Sequence, residues 1–112
     1  MDQKGANAVL AVLGEEIPES TGSWSRRFRM NKDKIRSGDV REIAEVIRDL
    51  SLRDAEKPLS SGERQLLAQA KRILSSELRW SLDKDEDETN AHLDKLLSDL
   101  AEARAEARAA RA

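Results

Sequence analysis

Residues 60–80 read SSGERQLLAQAKRILSSELRW, and this stretch decides the fold class. Ser60 and Glu63 stand three apart in the pattern of a capping box, where a hydroxyl and a carboxylate satisfy the free N–H groups of a helix start. Behind them Leu67, Ala70, Ile73, Leu74 and Leu78 recur at helical steps and share one face. Leu66, Ile73 and Trp80 repeat every seven residues along its edge, so Trp80 is expected within an apolar stripe. No glycine or proline occurs beyond Gly62, and aromatic residues make up only 3% of the chain. Such a chain is predicted to be all-α, with a core of Leu, Ile, Val and Ala.

Upstream, Val40, Ile43, Ile47 and Leu50 form a second stripe with Val46 beside them and Arg41, Glu45, Arg48 and Asp49 on its flanks. This helix is expected to run to about Arg53, after which Lys57-Pro58-Leu59 forces an extended connection. Ser37-Gly38-Asp39 ends one helix and caps the next, and Ser23 is placed to cap a helix reaching about Arg36. Residues 6–13 form a short helix ended by Gly14, followed by a polar linker over 15–22. Downstream, a polar break at 83–88 precedes a last helix with core positions Leu93, Leu96, Leu97 and Leu100. The tail AEARAEARAARA favours helix but stacks Glu102 on Glu106 and Arg104 on Arg108, so it is expected to fray and to lack a packing role. The prediction is a compact bundle of about five helices with one long C-terminal helix and a frayed tail. It divides into a short helix and linker (1–22), a helical domain (23–101) and a low-complexity tail (102–112).

At 112 residues the chain holds one modest core, since a domain of this size buries roughly 65% of its unfolded surface. It has no cysteine, so neither disulfides nor cysteine metal sites are possible. The longest apolar run, residues 8–13, is far short of a membrane span and has no signal-peptide character. A cytoplasmic protein without membrane contact is expected. The net charge of −2 conceals an uneven distribution. Residues 22–36 carry six basic side chains against one acid, whereas residues 83–99 carry seven acids against two lysines. A polyanion would be drawn to the first segment and repelled by the second.

The residues give no support to an enzyme. His92 is the sole histidine and has no paired nucleophile or second ligand, so a partly exposed helical position accounts for it. The acids at 85–88 lack the spacing of a calcium loop and suit the positive end of a helix dipole. No glycine-rich phosphate loop is present. Neither a cofactor nor a metal is expected.

Trp24-Ser25-Arg26-Arg27 is the specific feature. Trp24 stands among serines and arginines directly after the linker, with Arg29 two residues further on. On a helix Arg26 and Arg29 share one face, and Trp24 and Arg27 the neighbouring one. Arginines neutralise phosphates and release counterions, and a flat ring can wedge against a base step or stack on an unpaired base. On composition two readings of Trp24 stay open: a DNA contact, or an anchor that fastens this helix to the domain beside an ordinary solvated face.

Trp24-Ser25-Arg26-Arg27, Ser37-Gly38-Asp39, Glu45-Val46-Ile47-Arg48-Asp49-Leu50, Leu59-Ser60-Ser61-Gly62-Glu63-Arg64 and Ala70-Lys71-Arg72-Ile73-Leu74 with Glu77-Leu78 follow one another in the order and spacing of the CarD/CdnL bacterial transcription regulators. The likeness covers roughly residues 6–100, and the chain resembles the C-terminal DNA-binding domain of that family. The resemblance implies that the tryptophan at position 24 wedges into the minor groove at the upstream edge of the transcription bubble and slows collapse of the open complex formed by RNA polymerase. It implies further that Arg26, Arg27, Arg29 and Arg64 lie against the DNA, and it places the protein at the nucleoid. Arg64 falls in the first turn of its helix, where free backbone N–H groups can help hold a phosphate. Family members carry an N-terminal Tudor-like domain that grips the polymerase β subunit, and none is expected among these residues, whether they are a C-terminal domain taken from a longer chain or a natural short relative. From these residues alone, DNA binding is expected to be weak and strongly salt-dependent.

A rival from another class is a helical protein-interaction module without DNA contact, using the acidic last helix and the Ala/Glu/Arg tail as its surface.

Overall fold

The computed structural model describes residues 2–15 and 23–111. Within them lie five helices, α1 Gln3–Val12, α2 Trp24–Ser37, α3 Val40–Glu56, α4 Ser61–Ser81 and α5 Glu86–Arg111, and no strand. The linker expected over 15–22 falls, apart from residue 15, outside the described residues.

Each helix starts where its first turn finds an acceptor. Ser23 accepts from the Arg26 N–H, Asp39 from those of Arg41 and Glu42, and Ser60 from that of Glu63. Asp85 does the same for Glu88 at the head of α5. Removing such a cap typically costs about 1 kcal/mol. Asp2 caps α1 through Gly5, so that helix begins three residues before the apolar pattern suggests. Gly38 ends α2 with φ 73°, a left-handed conformation that glycine adopts without steric penalty.

Helix α3 is the centre of the bundle and packs against all four others. Ile43, Ala44, Val46, Ile47 and Leu50 are buried on it, facing Leu66, Ala70, Leu74 and Leu78 of α4, with Val12 and Leu13 from the α1 end and Leu93 of α5 completing the core. Each large aliphatic side chain buried this way contributes roughly 1.5–3 kcal/mol. Truncating one, as in Leu74→Ala, costs about 2–5 kcal/mol.

Three sequence expectations are corrected. Trp80 is 78% exposed rather than part of an apolar stripe. A seven-residue step drifts about 20° around an α-helix, so Leu66 is buried, Ile73 half-buried and Trp80 outside, while Leu78 takes the core position. Arg48, expected on a flank, is only 3% exposed. Its guanidinium is held by Asp49 at 2.8 Å, Glu15 at 3.5 Å and Glu45 at 4.0 Å, and such pairing is what a buried charge requires. Finally, the tail has a packing role. Arg104 donates to the carbonyls of Leu13 (2.8 Å) and Glu15 (3.4 Å), and Arg108 reaches Glu56. Burial first, and then the charge of Arg48, lower the Arg104 pKa, with Asp49 pulling the other way.

Candidate nucleic-acid interface

The head of α2 is built from residues four apart. Trp24, Phe28 and Lys32 succeed one another along one side of the helix. The Trp24 and Phe28 rings stack with centroids 4.9 Å apart and planes 14° from parallel, and Lys32 Nζ stands 5.7 Å from the Phe28 centroid. Such an aromatic pair adds about 0.5–1.5 kcal/mol beyond its buried area.

A second contact fixes the indole from α4. Trp24 Nε1 donates to Glu63 Oε1 at 2.9 Å. Glu63 is 6% exposed, and the same oxygen accepts from the Ser60 hydroxyl at 3.1 Å while Ser60 Oγ accepts the Glu63 N–H at 3.2 Å. Ser60 therefore caps the helix as read from the sequence, while the Glu63 carboxylate accepts from the Ser60 hydroxyl and the Trp24 indole. Gly62 makes room for this: a Cβ there would lie 3.1 Å from Phe28 Cε2. Trp24 is thus anchored and, at 44% exposure, still presented to solvent. Of the two readings left open by composition, the anchoring is what these contacts describe.

Arg26 and Arg29 are exposed on α2 and Arg27 is half-buried. Met30, 52% exposed, adds apolar surface to the same helix, and nothing in its sequence context singles it out. Arg64 follows Glu63 directly and is exposed, with one guanidinium nitrogen donating to the Leu59 carbonyl at 3.2 Å. Two of the backbone N–H groups near Arg64 are already engaged. The Arg64 N–H donates to the Ser60 carbonyl and the Glu63 N–H to the Ser60 hydroxyl, so neither is free, and the Glu63 carboxylate opposes an anion there. With its own N–H engaged, Arg64 has its guanidinium left for a phosphate. Phe28 and Glu63 were not among the predicted site residues; the i, i+4 spacing from Trp24 identifies Phe28, but nothing local couples Glu63 to a residue 39 positions away.

Elsewhere, His92 is exposed on α5. Glu86, Asp87 and Glu88 form the first turn of α5, in keeping with the dipole. Among the described residues no cluster of His, Cys, Asp or Glu suits a metal, and no helix is long and apolar enough to cross a membrane. Trp80 lies at the opposite end of α4 from Glu63, with the Arg79 guanidinium 5.0 Å from its ring, over an open depression bordered by Asp83, Lys84, Asp85 and Glu86.

The family model described as CarD, C-terminal domain, matches residues 8–94. The chain is also similar to the Bacillus subtilis (strain 168) protein named "Putative transcription factor YdeB", with 44% identity over 55 residues. That stretch is 49% of this chain and 36% of the relative, so the match spans about a third of the relative's length.

Proposed function

The chain belongs to the CarD C-terminal domain family, and from that premise we propose that it is the sequence-nonspecific DNA-binding module of a transcription regulator. Trp24 is the wedge, and Arg26, Arg27, Arg29 and Arg64 are the phosphate contacts. The observation that carries this reading is the Trp24 ring, fastened at two points yet 44% exposed at the head of a helix rich in exposed arginine. A pre-oriented ring loses little entropy on contact, and guanidinium groups around it supply salt-sensitive attraction to phosphates.

The site of action is the upstream edge of the transcription bubble in the open complex formed by RNA polymerase on promoter DNA. A base stacked on an aromatic ring gains about 1–3 kcal/mol. If that contact exists only while the DNA is open, collapse slows by about 5- to 150-fold. The test is a titration with DNA carrying a duplex-to-bubble junction against plain duplex, at two salt concentrations. The expected result is tighter binding to the junction, with affinity for both falling as salt rises. Equal, salt-insensitive binding sinks the proposal.

One observation favours a second reading, a protein-interaction module: Trp80 is exposed beside the acidic start of α5. Under that reading the titration shows no salt-sensitive preference for the junction.

A further inference from the structure

The environment of Trp24 restricts what its ring can recognise. An indole offers two π faces and one hydrogen-bond donor. Phe28 is stacked on one face, 4.9 Å away by centroids. The donor is spent on Glu63 at 2.9 Å, a carboxylate that is itself buried and fixed by Ser60. Gly62 leaves the space that Phe28 occupies. We propose that Glu63 and Phe28 are specificity-determining residues that turn Trp24 into a single-faced stacking plate with no free donor. The DNA it takes is therefore an exposed base face at the end of a paired stretch, of any base identity.

Each half follows from the chemistry. A ring open on both sides inserts between two bases, whereas a ring backed by Phe28 meets one. A free indole N–H in the minor groove would donate to adenine N3 or thymine O2, and the guanine amino group would stand in its way, so the ring would sort A·T from G·C. With Glu63 holding the N–H, that distinction is lost. Glu63 acts here through Trp24, as a positioning residue, and its negative charge next to the ring also disfavours phosphate on that side.

The inference rests on the DNA-binding reading, and the experiment separates the two. In the full chain carrying Trp80→Phe, the Trp24 indole N–H is followed by 15N NMR hydrogen exchange. In parallel, binding is measured to junction oligonucleotides ending in A·T or in G·C, and to plain duplex. The unsubstituted site should show a slowly exchanging indole N–H and affinities for the two ends within about twofold. Glu63→Ala should speed the exchange and favour the A·T end by about two- to tenfold, the worth of one hydrogen bond. Glu63→Gln, which keeps an acceptor oxygen, should restore both behaviours. Phe28→Leu, which removes the stacked backing, should narrow the preference for junction over duplex.

A Trp24 N–H that exchanges like free indole with Glu63 in place overturns the inference, as does an A·T preference there. If the junction is preferred but its ends are sorted by identity, this inference alone falls. If the junction is not preferred to duplex, the DNA-binding reading falls with it. Should Glu63→Ala fail to fold, the measurements with Glu63 in place and with Glu63→Gln decide.

Discussion

The two tryptophans, at the head of α2 and near the end of α4, show how differently one residue type is treated. Trp24 follows a polar linker and is surrounded in sequence by serine and arginine, yet its ring is gripped by Phe28 and Glu63. Trp80 continues an apolar seven-residue repeat, yet it is 78% exposed and meets the Arg79 guanidinium. Sequence neighbours describe the chemistry around a ring, whereas its burial depends on which helix lies opposite. Near Trp24, α2 crosses the capped start of α4. At Trp80 the core position is taken by Leu78, the indole stands outside the stripe, and the chain bends through Asp83 at φ 52° into α5.

The largest effect should separate the two rings functionally. Trp24→Ala is expected to remove the extension of open-complex lifetime, a loss of about 5- to 150-fold, while keeping most of the salt-dependent affinity. Trp80→Ala should leave that lifetime unchanged in a promoter dissociation assay. A loss with Trp80→Ala in place of Trp24→Ala would reverse the comparison and favour the protein-interaction reading.

Stability should separate them next. Urea unfolding of Trp24→Ala is expected to show a loss of about 1–3 kcal/mol, because a buried carboxylate loses its indole donor and Phe28 its stacking partner. Trp80→Ala should stay within about 0.5 kcal/mol, as surface substitutions generally do. Similar losses at both sites would mean that the exposure of Trp80 does not persist in solution.

The arginines beside the rings offer a finer distinction. Arg29→Ala should weaken DNA binding and reduce the slope of log affinity against log salt by about one unit. Arg79→Ala, next to the acidic turn, should leave the slope unaltered. The smallest expected change involves neither ring. Arg104→Ala should cost about 1 kcal/mol and speed amide exchange in the last turns of α5, because the Leu13 and Glu15 carbonyls lose their donor. DNA affinity should not follow it.

What the sequence made legible was local. Caps at Ser23, Asp39 and Ser60 were readable because a cap and its acceptor lie within three residues. The stripes of α3 and α4 were readable because helical spacing is a property of one segment. Contacts between distant segments were hidden. Arg48 is buried because Glu15 arrives from the α1 end, and the tail is fastened because Arg104 finds carbonyls 91 and 89 positions earlier. At the candidate site, Trp24 and its basic neighbours were visible as unmatched charge around an aromatic ring. The capping pattern marked Glu63 as a helix-start residue but could not reveal that its carboxylate serves Trp24.

The most direct measurement uses Trp80→Phe, which leaves Trp24 as the sole tryptophan, titrated with junction DNA while its fluorescence is followed. Saturable quenching is predicted at concentrations where plain duplex produces little, shifting to higher DNA concentration as salt is raised. The reciprocal Trp24→Phe variant, reporting on Trp80, should show no such change. Binding that leaves Trp24 emission untouched, or that quenches Trp80 instead, would contradict the account.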